Sequence, residues 1–393
     1  MQGALEDKND MSHEWLEQFR MYDKIYVFCV NLSGMILANH LRLMGMSAEY
    51  IDNDIKWGKT LVFGQKCNLP ENADSRYPCI IAAQNEKNKI DIHKQLLQIG
   101  FTNIHFIDEA YNHDWLDCYA PMMSDELYLR IFWFWRNGNE IDLEHPHTFN
   151  EKIQWLKLND RNPEDVRMTD KYEVKEYVAE KIGEQYVIPT IGIYDTYDEI
   201  DFAKLPSQFV MKCTHDSGGI EICKDKSIFD FGRARQHIEK CLSYNYFYYE
   251  REYSYKEIKP RIIIEEYMSD CTGSELKDYK IFCFNGEPQI IEVDIDRSTN
   301  HRRNLYTTEW ELLDLSICYP KAPEIQIEKP DCIKELLDAA RKLSEGIPHV
   351  RTDFYVIDNR IYFGEMTFYH GGGYEKFTPD EWNRKLGDYI TVV

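Results

Sequence analysis

The chain has 393 residues, of which 43% are hydrophobic, so it is long enough for two or three domains with a sizeable core. Its formal net charge of −22 at pH 7 argues against binding to nucleic acid or to an anionic membrane surface, although a locally basic pocket for a phosphorylated ligand is compatible with it. Eleven scattered cysteines, no apolar signal region in residues 1–10 and no membrane-length apolar run predict a cytoplasmic protein without disulfides or a transmembrane segment.

Strand and helix patterns alternate between residues 24 and 108 and predict a parallel α/β sheet. We assign residues 1–110 to a Rossmann-like domain. The first strand–helix turn, where a dinucleotide-binding fold carries G-x-G-x-x-G, reads CVNLSG (29–34) and keeps only the last glycine. The turn therefore indicates a degenerate nucleotide-binding module. Asp52, after the second strand, is either a ribose ligand or a turn cap.

The next segment, residues 111–160, places aromatic and apolar residues at helical spacing, which predicts a helical connector. Residues 161–393 mix helices with antiparallel-looking strands, and the tripeptides NGE and DNR are typical of hairpin turns. The predicted fold class is therefore a parallel α/β domain followed by an α+β domain with antiparallel sheets.

A lysine lies at the end of an apolar strand in FVMKCTHDSGG (209–219). Buried lysines need a partner, and Lys212 is followed by a glycine-bearing turn whose successive N–H groups favour an anion. A polyphosphate is one such partner. The competing interpretation is an exposed lysine beside an ordinary hairpin turn.

Two downstream strands favour the polyphosphate. The segment RIIIEEYM (261–268) ends in carboxylates that suit a ribose, and its backbone suits an adenine edge. In DYKIFCF, strand alternation places Asp278 and Lys280 on one face, where Lys280 would meet a phosphate and Asp278 would orient it. A surface salt bridge is the alternative for this pair.

A third strand pair, VRTDFYVIDNRIYFGEMTFY (350–369), brings two carboxylates to one end of a hairpin. Asp353 and Glu365 are the acids, and Arg351 shares a strand face with Asp353. Mg²⁺ is usually held by one or two carboxylates together with substrate phosphates. The two carboxylates and the arginine together predict metal-assisted phosphoryl transfer.

Several segments in order resemble the TupA-like amidoligase branch of the ATP-grasp fold, known from bacterial polysaccharide gene clusters. They include HPHTFNEKIQWLKLNDR, DKYEVKEYV, FVMKCTHDSGG, PRIIIEEYM, DYKIFCFNGEP, VRTDFY and IYFGEMTFY, and they span roughly residues 145–393. No single motif is specific to this family, but the combination of motifs is. The resemblance implies that residues 161–393 form an ATP-grasp catalytic domain with two α+β lobes, with ATP and Mg²⁺ as cofactors.

The resemblance also implies roles for individual residues. Lys171 and Lys212 would contact the ATP phosphates, and Lys280 would lie near the γ-phosphate. The phosphate-covering loop would consist of His215, Asp216, Ser217, Gly218 and Gly219. The adenine and ribose would lie against Glu265, Glu266, Tyr267 and Glu275, with Asp278 nearby. The metal ligands would be Asp353, Glu365 and, as a weaker ligand where many relatives have asparagine, Thr367.

The basic segment RSTNHRRNLY (297–306) resembles one that faces the substrate carboxylate in related ligases. The implied acceptor-site residues are His301, Arg302, Arg303 and Asn304, which with Arg351 would hold the carboxylate and the tetrahedral intermediate. An exposed basic loop is the alternative.

The predicted function is an ATP-dependent carboxylate–amine ligase that acts through an acyl phosphate. By resemblance, the carboxylate belongs to a uronic acid of a capsular or cell-surface polysaccharide, and the amine is an amino acid or amino alcohol. Three alternatives stay open: a glycan or small-molecule kinase on the same fold, a glycosyltransferase, and a non-catalytic binding module.

Overall fold

The computed structural model describes residues 15–54, 56–57, 62–63, 65–83, 85–107, 123–269, 276–297 and 299–392. The chain divides into two compact units, Met1–Glu140 and Ile141–Val393. Within the described residues, no helix is both long enough and apolar enough to span a membrane.

The first unit is built on a parallel sheet with the strand order β3-β2-β1-β4-β5. Its core strands β1 and β4 are fully buried, as expected for a sheet covered on both faces. The strands are β1 (Ile25–Phe28), β2 (Ala48–Ile51), β3 (Cys67–Asn68), β4 (Cys79–Ile81) and β5 (Ile104–Phe106). The helices are α1 (Leu32–Leu43), α2 (Glu86–Gln98) and α3 (Asp125–Asn137).

The turn between β1 and α1 satisfies its own backbone groups. The N–H of Val30 donates to Asp52 Oδ2 at 2.7 Å, and Asn31 caps α1 by accepting from the N–H of Gly34 at 2.8 Å. A Cβ on Gly34 would lie 2.1 Å from the carbonyl oxygen of Cys29, so the helix approaches the strand too closely for any larger residue. Asp52 also accepts from the N–H of Asp54, which makes it a turn cap. These contacts favour the interpretation of the first unit as a degenerate nucleotide-binding module. That interpretation stays a prediction.

The second unit contains a four-stranded antiparallel sheet with the order β6-β9-β7-β8. Alternate residues of β7, namely Phe209, Met211 and Cys213, are buried in a core shared with Ile238 of the covering helix α7. The strands are β6 (Thr190–Tyr194), β7 (Phe209–Cys213), β8 (Ile220–Cys223) and β9 (Ile262–Glu266), and α7 is Phe231–Leu242.

The same unit contains a five-stranded antiparallel sheet with the order β12-β11-β10-β14-β15. Two tight hairpins belong to this sheet. Asn285 and Gly286 join β10 to β11, and Asp358 and Asn359 join β14 to β15. All four residues have positive φ, as type I′ turns require. The strands are β10 (Asp278–Phe284), β11 (Glu287–Ile295), β12 (Arg302–Thr307), β14 (His349–Ile357) and β15 (Arg360–Thr367).

Helix α9 (Ile333–Leu343) covers one face of this sheet, because Ile333, Leu336, Ala340 and Leu343 recur at helical spacing and are buried against it. The remaining elements are α4 (Phe149–Asn159), α5 (Pro163–Thr169), α6 (Val174–Lys181), α8 (Phe247–Glu250), α10 (Glu381–Gly387), β13 (Ser316–Ile317) and β16 (Phe377–Thr378). One parallel sheet and separate antiparallel sheets confirm the predicted fold class.

Candidate active site

The face of the five-stranded sheet opposite α9 is lined with ionisable side chains. Strand register places Lys280 between Glu292 and Asp353, and Asp353 opposite Glu365. Nearly all of these side chains are buried, which is unusual for charges unless they are paired. We call this surface the charged face, and it comprises Asp278, Lys280, Glu292, Asp294, Arg303, Arg351, Asp353 and Glu365.

The predicted metal ligands converge on a single nitrogen atom. Arg351 Nη2 lies 2.7 Å from Asp353 Oδ2, 3.0 Å from Glu365 Oε1 and 3.1 Å from Thr367 Oγ1. Arg351 Nε also donates to Asp353 Oδ1 at 2.7 Å. The three oxygens thus lie around one cationic nitrogen atom, which occupies the position between them.

A bulge in β15 makes this convergence possible. The register shifts after Asp353, and Gly364 occupies the extra position, so that Glu365 faces Asp353 across the two strands. Burial raises the pKa of Asp353 to about 7 against the opposing charge of Arg351. Partial desolvation would raise the pKa of Glu365, whose side chain is 47% exposed, but three nearby cations lower that pKa: Arg351, Lys171 and Lys280.

Lys280 lies at the centre of the charged face. Its ammonium is 2.5 Å from Asp294 Oδ2 and 3.6 Å from Glu292 Oε1. Burial opposes ionisation of Asp294, but the charges of Lys280 and Arg303 outweigh it and hold the pKa of Asp294 well below its usual range. Asp294 therefore stays ionised and fixes Lys280 in place.

The predicted acceptor segment is an edge strand, β12, rather than a basic loop. Arg303 lies on the charged face, with Nε 2.9 Å from Asp294 Oδ1, and His301 Nε2 is 2.9 Å from the same oxygen. Arg302 pairs with Glu324 at the outer edge.

Asn304 lies on the opposite face of the sheet. It is wholly buried, donates to the carbonyl of Ala322 at 3.0 Å and accepts from the N–H of the same residue at 2.9 Å. The structure therefore brings His301 and Arg303 to the charged face but separates Asn304 from them.

Lys212 is held by a buried carboxylate on the neighbouring strand β9. Lys212 Nζ lies 2.6 Å from Glu265 Oε2, and Lys175 Nζ lies 2.5 Å from Glu265 Oε1. Glu266 points to the other side and is exposed, while Tyr267 is half-buried. The prediction for Glu275 lies outside the described residues. Lys212 and Glu265 thus form one cluster on the four-stranded sheet.

The loop at residues 214–219 joins β7 to β8 and is ordered by its own polar groups. Asp216 Oδ2 accepts from the N–H of Gly219 at 3.1 Å, and His215 Nε2 is 3.1 Å from the carbonyl oxygen of Cys241. Gly218 has φ of +125°, which other residues rarely adopt. His215 and Asp216 are buried, whereas Ser217 and Gly218 are exposed at the tip, where a ligand could meet their N–H groups.

Lys171 contacts this loop and lies near the hairpin β14–β15. Its N–H donates to the carbonyl of Thr214 at 3.1 Å, and its ammonium donates to the carbonyl of Asp216. The same charge lowers the pKa of Glu365, so Lys171 lies near both segments. Buried Asp170 sets this position, because it accepts from the N–H of Tyr172 and forms an ion pair with Arg261.

Comparison with known families identifies the chain. The model of the TupA-like ATP-grasp family matches residues 151–391, which is more than half of the chain and includes every described candidate residue of the second unit. The chain belongs to the TupA-like ATP-grasp family.

Solved structures similar to this TupA-like protein share little of its sequence. An L-amino acid ligase from Bacillus licheniformis matches with a TM-score of 0.34 at 12% identity, over 90% of this chain and 70% of that one. N5-carboxyaminoimidazole synthetase from Staphylococcus aureus matches with a TM-score of 0.31 at 12% identity, over 88% and 70%. A D-alanine–D-alanine ligase from Bacillus anthracis matches with a TM-score of 0.29 at 12% identity, over 88% and 85%. No curated protein matches this sequence.

The site of the TupA-like protein includes residues that sequence reasoning missed. Arg351 Nη1 donates to His370 Nδ1 at 2.8 Å, and His370 Nε2 lies 2.9 Å from Glu375 Oε2. Because arginine only donates, Nδ1 must accept and the ring proton lies on Nε2, facing Glu375. His370 therefore fixes the direction of Arg351.

His370 is held by a glycine turn whose three glycines all have positive φ. Two wholly buried side chains of α4 donate to this turn: Gln154 Nε2 to the carbonyl of Gly372 at 2.8 Å, and Lys157 Nζ to the same carbonyl at 2.8 Å. The run HGGG was visible in the sequence, but its partners on a distant helix were not.

We expect Gly372→Ala to lower both stability and activity. Gly372 has φ of +60°, and a Cβ would lie 1.7 Å from Glu250 Oε2, so the turn and His370 must shift. The left-handed backbone alone costs about 1–2 kcal/mol. Thermal unfolding and ADP release measure the two effects. Gly346→Ala is the matched control, since Gly346 has φ of +78° with nothing within 4 Å of the added Cβ. Equal losses of activity in both variants would contradict a role for the turn.

Proposed function

We propose that this protein is an ATP-dependent ligase that joins a carboxylate to an amine through an acyl phosphate. Membership in the TupA-like ATP-grasp family supports this activity. The observation that carries the proposal is the convergence of Asp353, Glu365 and Thr367 on one cationic position, with Lys280 on the adjacent strand.

The ATP phosphates are proposed to lie between the two sheets of the second unit. Lys212 and Lys171 supply positive charge from one side, and Lys280 supplies it from the other. The exposed tip of loop 214–219 offers backbone N–H groups to the same phosphates. The adenine would lie beside Glu265 and Tyr267 at the end of β9.

Mg²⁺ is proposed to bind to Asp353 and Glu365, with Thr367 as a weaker ligand. The charged face carries five carboxylates, and four basic side chains, Lys280, Arg297, Arg303 and Arg351, pair with them, so one carboxylate more than basic groups is present. Among the described residues, no cluster of three or more histidine, cysteine, aspartate or glutamate side chains forms a metal site. A pair of carboxylates completed by phosphate oxygens is the usual arrangement for Mg²⁺. The ion would neutralise charge on the transferred phosphoryl group.

In the proposed reaction, a carboxylate oxygen attacks the γ-phosphorus of ATP, and the bond to the β-phosphate oxygen breaks to release ADP. Lys280, Lys171 and Lys212 stabilise the negative charge that develops on the phosphoryl oxygens. The amine then attacks the acyl carbon, loses a proton, and expels inorganic phosphate to leave an amide. No protein nucleophile is needed.

The substrate class follows from the family resemblance. We propose that the carboxylate belongs to a uronic acid of a capsular or cell-surface polysaccharide or its precursor, and that the amine is an amino acid or amino alcohol. A screen of ADP release across uronic acids and amines, with the amide detected by mass, tests this proposal. A phosphorylated sugar formed without any amine would instead identify a kinase on the same fold.

We expect Lys171→Met and Lys212→Met to raise the KM for ATP by at least about tenfold each, because a charge-assisted hydrogen bond to a phosphate contributes about 1.5–3 kcal/mol. Initial rates of ADP release at varied ATP concentration measure the change. Lys204→Met is the matched control, since its side chain is 83% exposed and pairs with Asp201. An unchanged KM in both site variants would remove these lysines from the nucleotide site.

A further inference from the structure

His301 forms a carboxylate–imidazole pair at the β12 end of the charged face. Its Nε2 lies 2.9 Å from Oδ1 of Asp294, whose side chain is wholly buried. The other oxygen of this carboxylate, Oδ2, lies 2.5 Å from Lys280 Nζ. A single carboxylate therefore joins the imidazole to the lysine that the proposed function places beside the γ-phosphate.

Two contacts fix the ring of His301. One face packs on the ring of Tyr319, which follows β13, with the ring centroids 3.7 Å apart and the planes inclined by 31°. The charges of Lys280 and Arg303 keep Asp294 ionised, so Asp294 can only accept a hydrogen bond. The neutral imidazole therefore carries its proton on Nε2. A base that is oriented in this way by a carboxylate is the arrangement that catalytic triads use.

The second ring nitrogen of His301 keeps an unused lone pair. Among the described residues, Nδ1 of His301 makes no hydrogen bond, and the side chain is 18% exposed. His370, the other histidine at this face, already accepts a hydrogen bond from Arg351 at its Nδ1. Arg297, with Nε 3.7 Å from Asp294 Oδ2, can only donate. His301 thus offers the charged face a nitrogen that can take up a proton.

We propose that His301 is the base that removes a proton from the amine substrate. This inference rests on the proposed function and goes beyond it, because the family resemblance implies only a contact between His301 and the substrate carboxylate. An amino acid or amino alcohol carries an ammonium group at neutral pH, and this nitrogen has no lone pair for the attack. Imidazole is the side chain best suited to proton transfer in this pH range.

The proton transfer fits the second half of the proposed reaction. Nδ1 of His301 takes one proton from the ammonium group, and the freed lone pair forms the bond to the acyl carbon. The bond between the acyl carbon and the phosphate oxygen breaks, and the phosphate leaves with that electron pair and takes the second proton from the nitrogen. The imidazolium then loses its proton to solvent, and Asp294 stabilises its charge in the meantime.

Two nucleophiles test the assignment. Hydroxylamine is largely uncharged at neutral pH and reacts with acyl phosphates without a base, whereas the amine substrate must first lose a proton. With MgATP, D-glucuronate or D-galacturonate, and the amine identified by the screen, we expect His301→Gln to form the amide at least about a hundredfold more slowly than the wild-type protein. With hydroxylamine instead of the amine, hydroxamate formation should stay within about threefold of the wild-type rate, because the acyl phosphate still forms.

The matched control is His237→Gln. His237 Nδ1 also pairs with a buried carboxylate, Glu221 Oε1 at 2.6 Å, but on the four-stranded sheet, so this variant should leave both rates unchanged. Added imidazole should raise amide formation by His301→Gly at least about tenfold, because it replaces the missing base. A higher pH should restore amide formation by His301→Gln, because the amine then loses its proton to solvent.

The outcomes separate the role of His301 from the reaction as a whole. Equal losses of amide and hydroxamate formation, or a raised KM for the uronate at an unchanged maximal rate, would overturn the inference, because His301 would then act on the carboxylate. Wild-type rates of amide formation in His301→Gln would overturn it as well. A wild-type protein that forms no hydroxamate with either uronate would instead contradict the proposed acyl phosphate, and the role of His301 with it.

Discussion

Asp353→Asn is expected to lower the rate of ADP release by at least about a hundredfold, because the proposed metal loses a charged ligand and a bound metal contributes several kcal/mol to the transition state. The amide has the same shape as the carboxylate and still accepts a hydrogen bond from Arg351 Nε, now 2.7 Å from Asp353 Oδ1. Circular dichroism should therefore show a native fold. Glu365→Gln is expected to give the same result.

The control for this change is Asp338→Asn, an exposed aspartate on α9 that pairs with Arg341 and lies on the opposite face of the sheet. It should leave the rate of ADP release unchanged. Raising the Mg²⁺ concentration should recover part of the activity of Asp353→Asn, because the lost ligand weakens metal binding. Wild-type rates at limiting Mg²⁺ would remove Asp353 from the metal site.

Arg351→Met is expected to lower the free energy of unfolding of the second unit by about 3–5 kcal/mol, because it leaves the buried carboxylate of Asp353 without its cation. The carboxylate of Asp353 loses a bidentate partner and then repels Glu365 at close range. Urea unfolding followed by tryptophan fluorescence measures the loss. The double variant Arg351→Met with Asp353→Asn should be more stable than the sum of the single losses predicts.

The effect of Mg²⁺ on the stability of Arg351→Met is a second measurement, and it does not depend on turnover. If the three oxygens that surround Arg351 Nη2 form a cation site, Mg²⁺ should stabilise Arg351→Met more than it stabilises the wild-type protein, because the ion replaces the missing guanidinium. Arg341→Met should respond to Mg²⁺ as the wild-type protein does. A destabilisation below about 1 kcal/mol, or no response to Mg²⁺, would show that the oxygens do not require a cation.

The fold class could be predicted because each signal is local. The alternation of strand and helix patterns before residue 108 specified a parallel sheet, and two short turn motifs specified the hairpins β10–β11 and β14–β15. Period-two alternation likewise placed Lys280 and Asp278, and Arg351 and Asp353, on one face of their strands. In these segments the local pattern and the tertiary packing agree.

Other parts of the site depend on contacts that no local pattern reports. Glu292 and Asp294 alternate with apolar residues along β11, which is equally typical of a strand with a solvated face, yet both are buried beside Lys280. The link from Glu375 through His370 to Arg351 joins residues that only the folded sheet brings together. The residues 301–304 were predicted to act together at one acceptor site, whereas β12 directs Arg303 and Asn304 to opposite faces.

The central claim is that the carboxylate of the substrate attacks the γ-phosphorus, and the fate of one oxygen atom tests it most directly. A uronate labelled with oxygen-18 in its carboxyl group would be incubated with ATP, Mg²⁺ and the amine identified by the screen, and the phosphate released would be analysed by mass. The proposed reaction predicts that each phosphate carries one labelled oxygen, since the acyl phosphate breaks at the acyl carbon. Unlabelled phosphate, or label retained entirely in the sugar product, would contradict it.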